Sequence, residues 1–142
     1  MSDAQRRAEL IVKGMLAKDE LSRWLGLEVV ELRPGRCVCR MTVRDEMVNG
    51  FGVAHGAIVF ALADSALAFA CNTQGRIAMS IENGVSYPAP VHPGDELTAL
   101  VEEERATGRL GFYSGRVLNQ RGEVVALFRG TVYKTQQEHP VA

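Results

Sequence analysis

Polar residues nearly vanish from one stretch of this 142-residue chain. Between Ala57 and Cys71 only Asp64 and Ser65 interrupt a run of Ala, Ile, Val, Leu, Phe and Cys. A surface helix carries one apolar stripe, whereas a helix apolar nearly all round is buried on nearly all sides. The stretch therefore predicts a central helix with the rest of the chain wrapped around it. It is too short to span a membrane and holds a carboxylate at its middle, so a bilayer does not suit it. Gly50, Gly52 and His55-Gly56 mark its start. Asn72 to Gly75 mark its end, with Gly75 at the left-handed position.

Upstream, Ala8, Ile11, Val12 and Met15 recur at helical spacing, which predicts an amphipathic helix from residue 4 to about residue 17. Asp19 is placed to cap a second short turn, Glu20 to Leu25, ended by Gly26, with Trp24 expected as a packing anchor. Strands are expected at Leu27–Leu32 and Cys37–Arg44, joined by a turn at Pro34-Gly35. The second alternates, with Cys37, Cys39, Met41 and Val43 on one face and Arg40, Thr42 and Arg44 on the other. A loop from Asp45 to Ala54 leads into the central helix.

After Gly75 the period returns to two. Ile77, Met79 and Ile81 alternate with Ala78, Ser80 and Glu82 as far as Tyr87. The prolines between Pro88 and Gly94 lack strand donors, so that stretch is a loop. Glu96–Arg105, Leu110–Asn119 and Val124–Lys134 follow, with turns at Gly108 and Arg121-Gly122, and form an antiparallel meander. The acidic run Glu102-Glu103-Glu104 is expected as a solvated strand end. The polar tail, residues 135–142, is expected to fray from Gln136. One antiparallel sheet of five or six strands curled around one helix accounts for every segment, in an α+β single domain over residues 1–142 with a helical segment at 1–25.

Composition narrows the function classes. Apolar content of 46% and charged content of 23% are those of a soluble globular protein. A net charge of −1 with no basic run gives no pull toward nucleic acid. MSDAQRRAEL lacks an apolar secretion segment, so a cytoplasmic location is expected. Cys37 and Cys39 are spaced unlike zinc pairs and too closely for an ordinary disulfide. With Cys71 they are expected as small buried hydrophobes in a reducing compartment. His55, His92 and His139 form no metal-ligand pattern, and no P-loop, dinucleotide or nucleophile-elbow motif occurs.

Asp64 is the chemical anomaly. A buried charge must be paired, neutralised or open to a cleft. The structural reading is a hydrogen bond to backbone or to a hydroxyl such as Ser65 across an interface. The functional reading is a general base or nucleophile toward a carbonyl. At the helix start, Gly56 and its neighbours have amides without intrahelical acceptors, suited to an oxyanion. His55 and Asn49, taken alone, fit structural roles more readily, as a hydrogen-bonded histidine and a turn residue. Gly56 and Asp64 are eight residues apart, about 12 Å along a helix. Two antiparallel helices, each offering its start to the other's middle, would bring both to one substrate, which predicts a two-fold dimer with shared sites.

Asn49-Gly50, His55-Gly56-Ala57 and Ala63-Asp64-Ser65-Ala66 together resemble the hotdog-fold acyl-CoA thioesterases of the phenylacetate-degradation type. The likeness continues through Ala70–Gly75 (ACNTQG), Pro93–Leu97 (PGDEL) and Val125–Lys134 (VALFRGTVYK), covering the chain from about Leu21. It implies a helix wrapped by an antiparallel sheet, dimers that join their sheets, and often a homotetramer of two dimers. It implies hydrolysis of a CoA thioester, with CoA as part of the substrate, no cofactor and no metal. On this likeness Asp64 matches the catalytic carboxylate and Gly56 the amide that polarises the carbonyl. His55 matches the histidine that orients the region, and Asn49 the polar residue near the attacking water. Two positions depart from the pattern. Ala57 stands where a second Gly is common, and Tyr87-Pro88-Ala89-Pro90 replaces an aromatic-Leu-Arg-Pro string.

The expected reaction is hydrolysis of arylacetyl-CoA, of the phenylacetyl or hydroxyphenylacetyl kind, to free acid and CoA. Hydration or dehydration of acyl thioesters is the second class, but its usual Asp-before-His order is reversed here. An acyl-CoA-binding sensor is the non-enzyme alternative, distinguished by binding without thiol release.

Overall fold

In the computed structural model, which describes residues 1–141, the chain opens with α1 (Asp3–Leu16), capped by the Ser2 hydroxyl, which accepts from the Gln5 amide. Its Ala8, Ile11 and Val12 face inward. α2 (Glu20–Leu25) begins at Asp19, whose carboxylate accepts from Ser22 N, and ends at Gly26 in the left-handed conformation, φ 73°. β1 (Glu28–Arg33) and β2 (Arg36–Thr42) follow as an antiparallel pair. Cys37, Cys39, Met41 and Val43 are all buried, as their alternation predicts. A short 3₁₀ turn at Asp45–Met47 then leads to α3 (Gly56–Asn72).

Four more strands complete the chain: β3 (Arg76–Ser86), β4 (Glu96–Thr107), β5 (Leu110–Leu118) and β6 (Val124–Glu138). The strands make one six-stranded antiparallel sheet in the order β1-β2-β4-β5-β6-β3. The loop from Tyr87 to Asp95 carries the chain from β3 at one edge back to β4 at the centre. The sheet curves around α3, whose Leu62, Ala66, Leu67, Phe69 and Ala70 meet Cys39, Leu97, Ala99, Val117, Phe128 and Val132 in one core. Phe60 packs edge-on against Phe128 with ring centroids 5.8 Å apart. Phe69 has no exposed surface, so its truncation to Ala would cost about 3–5 kcal/mol. No helix of the described residues is long and apolar enough to cross a membrane.

Four expectations need correction. The tail does not fray at Gln136: β6 runs to Glu138, opposite Arg76, and Thr135 Oγ1 donates to Ile77 O at 2.6 Å. His139 N donates to Gly75 O at 2.8 Å, and its ring bonds Asn72 Oδ1 at 2.7 Å. Backbone pairing with β3 holds these residues whatever their side-chain polarity; Ala142, the end of that tail, lies outside the described residues. Trp24 is not a buried anchor but 47% exposed, with the Arg44 guanidinium 4.9 Å above its ring. Glu103 is not solvated, since it accepts from Tyr113 OH at 2.9 Å and pairs with Lys134 at 3.6 Å. The fourth is the alternation in β3. A bulge between Ser80 and Glu82 interrupts it at Ile81, 60% exposed, while Met79, opposite Tyr133 ahead of the bulge, is 56% exposed on the outer face of this edge strand.

Cys37, Cys39 and Cys71 are free and buried, with the first two sulfurs 3.6 Å apart. Burial pushes the Cys71 thiol up to about 12, so it stays protonated.

Candidate active site

The start of α3 is built from short-range contacts. Asn49 closes the preceding loop on itself: Oδ1 accepts from Phe51 N at 2.9 Å and its carbonyl accepts from Gly52 N at 3.1 Å. Ala54 N donates to Val91 O, and His55 N donates to Met47 O, which sets the angle at which the chain enters the helix. His55 is the N-cap, and its Nδ1 accepts from Ala57 N at 3.2 Å. That bond satisfies one of the orphan first-turn amides. It also leaves the ring proton on Nε2 in the neutral form. Gly56 N, at the first helical position, donates to no group among the described residues.

Gly56 also has a neighbour absent from the sequence-based site. Tyr87 OH donates to Gly56 O at 2.8 Å, and a Cβ on Gly56 would lie 3.2 Å from Tyr87 Cζ. The absence of a side chain lets the phenol ring rest directly on the helix start. Beside it opens a cleft of about 360 Å³ lined by Val53, Gly56, Val59, Tyr87, Pro88 and Val91, among others, with no charged group in its lining.

Two turns further along, Asp64 is half-buried. Its Oδ1 accepts from Asn83 Nδ2 at 3.3 Å. Burial raises its carboxyl above the ordinary aspartate range; the Asn83 hydrogen bond pulls it partly back, and the charge of Asp19 adds a smaller upward push. Ser65 is engaged within its own chain. Its hydroxyl bonds Ser22 Oγ at 2.9 Å in the same chain, and Ser22 in turn donates to Asp19 Oδ2 at 2.7 Å. Asn49, His55 and Gly56 thus gather at one end of α3, and Asp64 lies apart from them on the same helix. Within one chain the four residues are not one constellation. Asn83 escaped the sequence reading, although an Asn inside a strand is itself a signal, because Asn is depleted there. No cluster of three metal-ligating side chains occurs among the described residues.

A free amide at the helix start, an apolar cleft beside it and a carboxylate of raised proton affinity lie on one sheet-wrapped helix, the hotdog arrangement. The family model for the thioesterase superfamily matches residues 51–126, more than half of the chain, and the chain belongs to that family. It is similar to the acyl-coenzyme A thioesterase PaaI of Escherichia coli K12, 35% identical over 120 residues that cover 84% of this chain and 86% of that protein. The solved structure of the E. coli PaaI protein from the phenylacetic acid degradation operon superposes with a TM-score of 0.93 at 32% identity, covering 96% and 99% of the two chains. A mutant structure of the phenylacetic acid degradation protein PaaI from Thermus thermophilus is 37% identical with a TM-score of 0.79, covering 82% and 100%. The protein is therefore a thioester hydrolase, an acyl-CoA thioesterase of the PaaI type.

Proposed function

We propose that the protein hydrolyses arylacetyl-CoA thioesters in sites shared between two copies of the chain. The observation that carries this reading is Asp64, a carboxylate of raised proton affinity on an otherwise apolar helix. Gly56 N–H of one copy stabilises the oxyanion that forms on the thioester carbonyl. Asp64 of the second copy takes a proton from water, and the resulting hydroxide adds to the carbonyl carbon. Collapse of the tetrahedral adduct breaks the C–S bond, and the proton ends on the departing CoA thiol. A carboxyl of raised proton affinity suits this base role. His55 holds the first turn in place, and Asn49 shapes the loop in front of it.

The free edge of β3 supports the shared site. It presents unpaired backbone groups with Met79 and Ile81 exposed beside them. An edge of this kind pairs readily with a second copy, and a two-fold pairing there sets two α3 helices antiparallel. A second dimer covering Phe112, Leu127 and Tyr133 on the outer face would complete a homotetramer. The uncharged cleft at Gly56 and the names of the PaaI relatives favour an aromatic acyl group. Reduced buried cysteines and a CoA substrate fit the cytoplasm.

Thiol release across an acyl-CoA panel, with light scattering at the assay concentration, tests both parts. Phenylacetyl-CoA should be cleaved faster than succinyl-CoA by an even-numbered oligomer. Faster succinyl-CoA turnover overturns the substrate, binding without release favours a sensor, and a fully active monomer overturns the shared site.

A further inference from the structure

Asn83 is built into the fold at some cost. Its Oδ1 is buried and is the one buried side-chain nitrogen or oxygen without a hydrogen-bond partner among the described residues. Such an orphan normally disfavours the fold, so its retention calls for a reason in what the rest of the side chain does. The other end of the amide is engaged twice: Nδ2 donates to Asp64 Oδ1 and to Ser80 Oγ, each at 3.3 Å.

Two features of the sheet make this placement possible. Without a bulge, Ser80 and Asn83, three residues apart, would point to opposite faces of β3. The bulge between Ser80 and Glu82 inserts one residue, so Ser80 faces Val132 and Asn83 faces Gly130, both on the side packed against α3. Gly130 then supplies the space. A Cβ there would lie 2.7 Å from Asn83 Oδ1 and 2.7 Å from Leu67 Cδ2. Turning the amide over would bring its oxygen against the Asp64 carboxylate, where like partial charges repel, so the orientation with Nδ2 toward Asp64 suits the ionised acid.

We infer that Asn83, seated by the β3 bulge and by Gly130, is the positioning residue of Asp64: it holds Oδ1 so that Oδ2 alone is presented to the reacting water. Oδ2 has no hydrogen-bond partner among the described residues. The 3.3 Å bond is long, and catalytic hydrogen bonds that are long in a free enzyme often tighten in the substrate complex. The inference rests on the reading of Asp64 as the base. Asp19 at the start of α2 pushes the Asp64 carboxyl up, and Cys71 further along α3 feels its charge but stays protonated. Asn83 is the group that opposes the upward shift.

The test measures kcat and KM against pH, with melting temperature on the same preparations, for Asn83→Leu, Gly130→Ala, their combination and Asp64→Asn. Asn83→Leu keeps the branched shape of the side chain and removes the donor. It should lower kcat about tenfold with KM little changed, and move the acid limb of kcat/KM to higher pH. Gly130→Ala touches no substrate but displaces the amide, so it should move the limb the same way and add little in the combination. Because Gly130→Ala carries the same readout, it decides the matter if Asn83→Leu does not fold. A wild-type acid limb in folded variants overturns the inference while Asp64→Asn still loses turnover, which leaves the base reading standing. Wild-type turnover by Asp64→Asn overturns both.

Discussion

The start of α3 and its middle are both chemically equipped, by opposite means. At the start the candidate group is backbone: Gly56 N–H is free because first-turn amides lack intrahelical acceptors, and the His55 cap takes the next one. At the middle the candidate group is a side chain, and its properties come from elsewhere. Asp64 owes its raised proton affinity to burial under the sheet, moderated by its hydrogen bond to Asn83, nineteen residues away. A helix terminus carries its own donor wherever the helix is placed. A carboxylate becomes a base only through what surrounds it.

Removing the charge at the middle should have the largest effect. Asp64→Asn is expected to lower single-turnover cleavage of phenylacetyl-CoA by about 10² or more, as when a positioned base is lost. Its stability should move the other way. Burial raises the folded-state proton affinity of Asp64, so the ionised form weakens the fold above that raised value. The weakening fades as pH falls, and is gone below about 3.9, where the unfolded carboxyl is protonated too. Melting curves should therefore show Asp64→Asn at least as stable as wild type at neutral pH, with the difference closing in acid. A variant that melts early yet stays active would make Asp64 structural and erase the contrast between the two regions.

At the start, Gly56→Ala leaves the amide in place and adds a methyl 3.2 Å from the Tyr87 ring. Tyr87 is 46% exposed and can yield, so the loss should be about 1 kcal/mol, roughly fivefold in kcat/KM. A loss as large as that of Asp64→Asn would show that space at this terminus matters as much as charge at the middle. Tyr87→Phe is the mildest change. It deletes one neutral, partly exposed hydrogen bond to Gly56 O, worth about 0.5–1.5 kcal/mol. kcat/KM should fall about twofold, the lower end of that range, and an unchanged value would assign Tyr87 to packing alone.

The same division separates what is legible in the sequence from what is not. The helix periods, the alternation of β2, the cap at Asp19, the stop between Asn72 and Gly75 and the burial of α3 are set by residues near one another in the chain, and all appear in the structure at the expected places. Asp64 stands out because an ionisable group within an apolar helix is conspicuous whatever surrounds it. Asn83 does not, because one extra residue in β3 reverses which side chains face α3, and simple alternation places Ser80 with Glu82 instead. The tail departs from expectation for a related reason: polarity describes side chains, whereas β3 holds β6 to Glu138 through the backbone.

The amino-acid sequence by itself determined the central helix, the chemical groups on it and the curved sheet that buries it, because burial and helix capping act through local pattern. The tertiary structure alone decided that Asn83 meets Asp64, that Gly130 makes room for Asn83, and that Tyr87 lies on Gly56. Those contacts join residues 19, 47 and 31 positions apart, and only the register of β3 against β6, the bulge within it and the return of the loop after β3 bring them within reach.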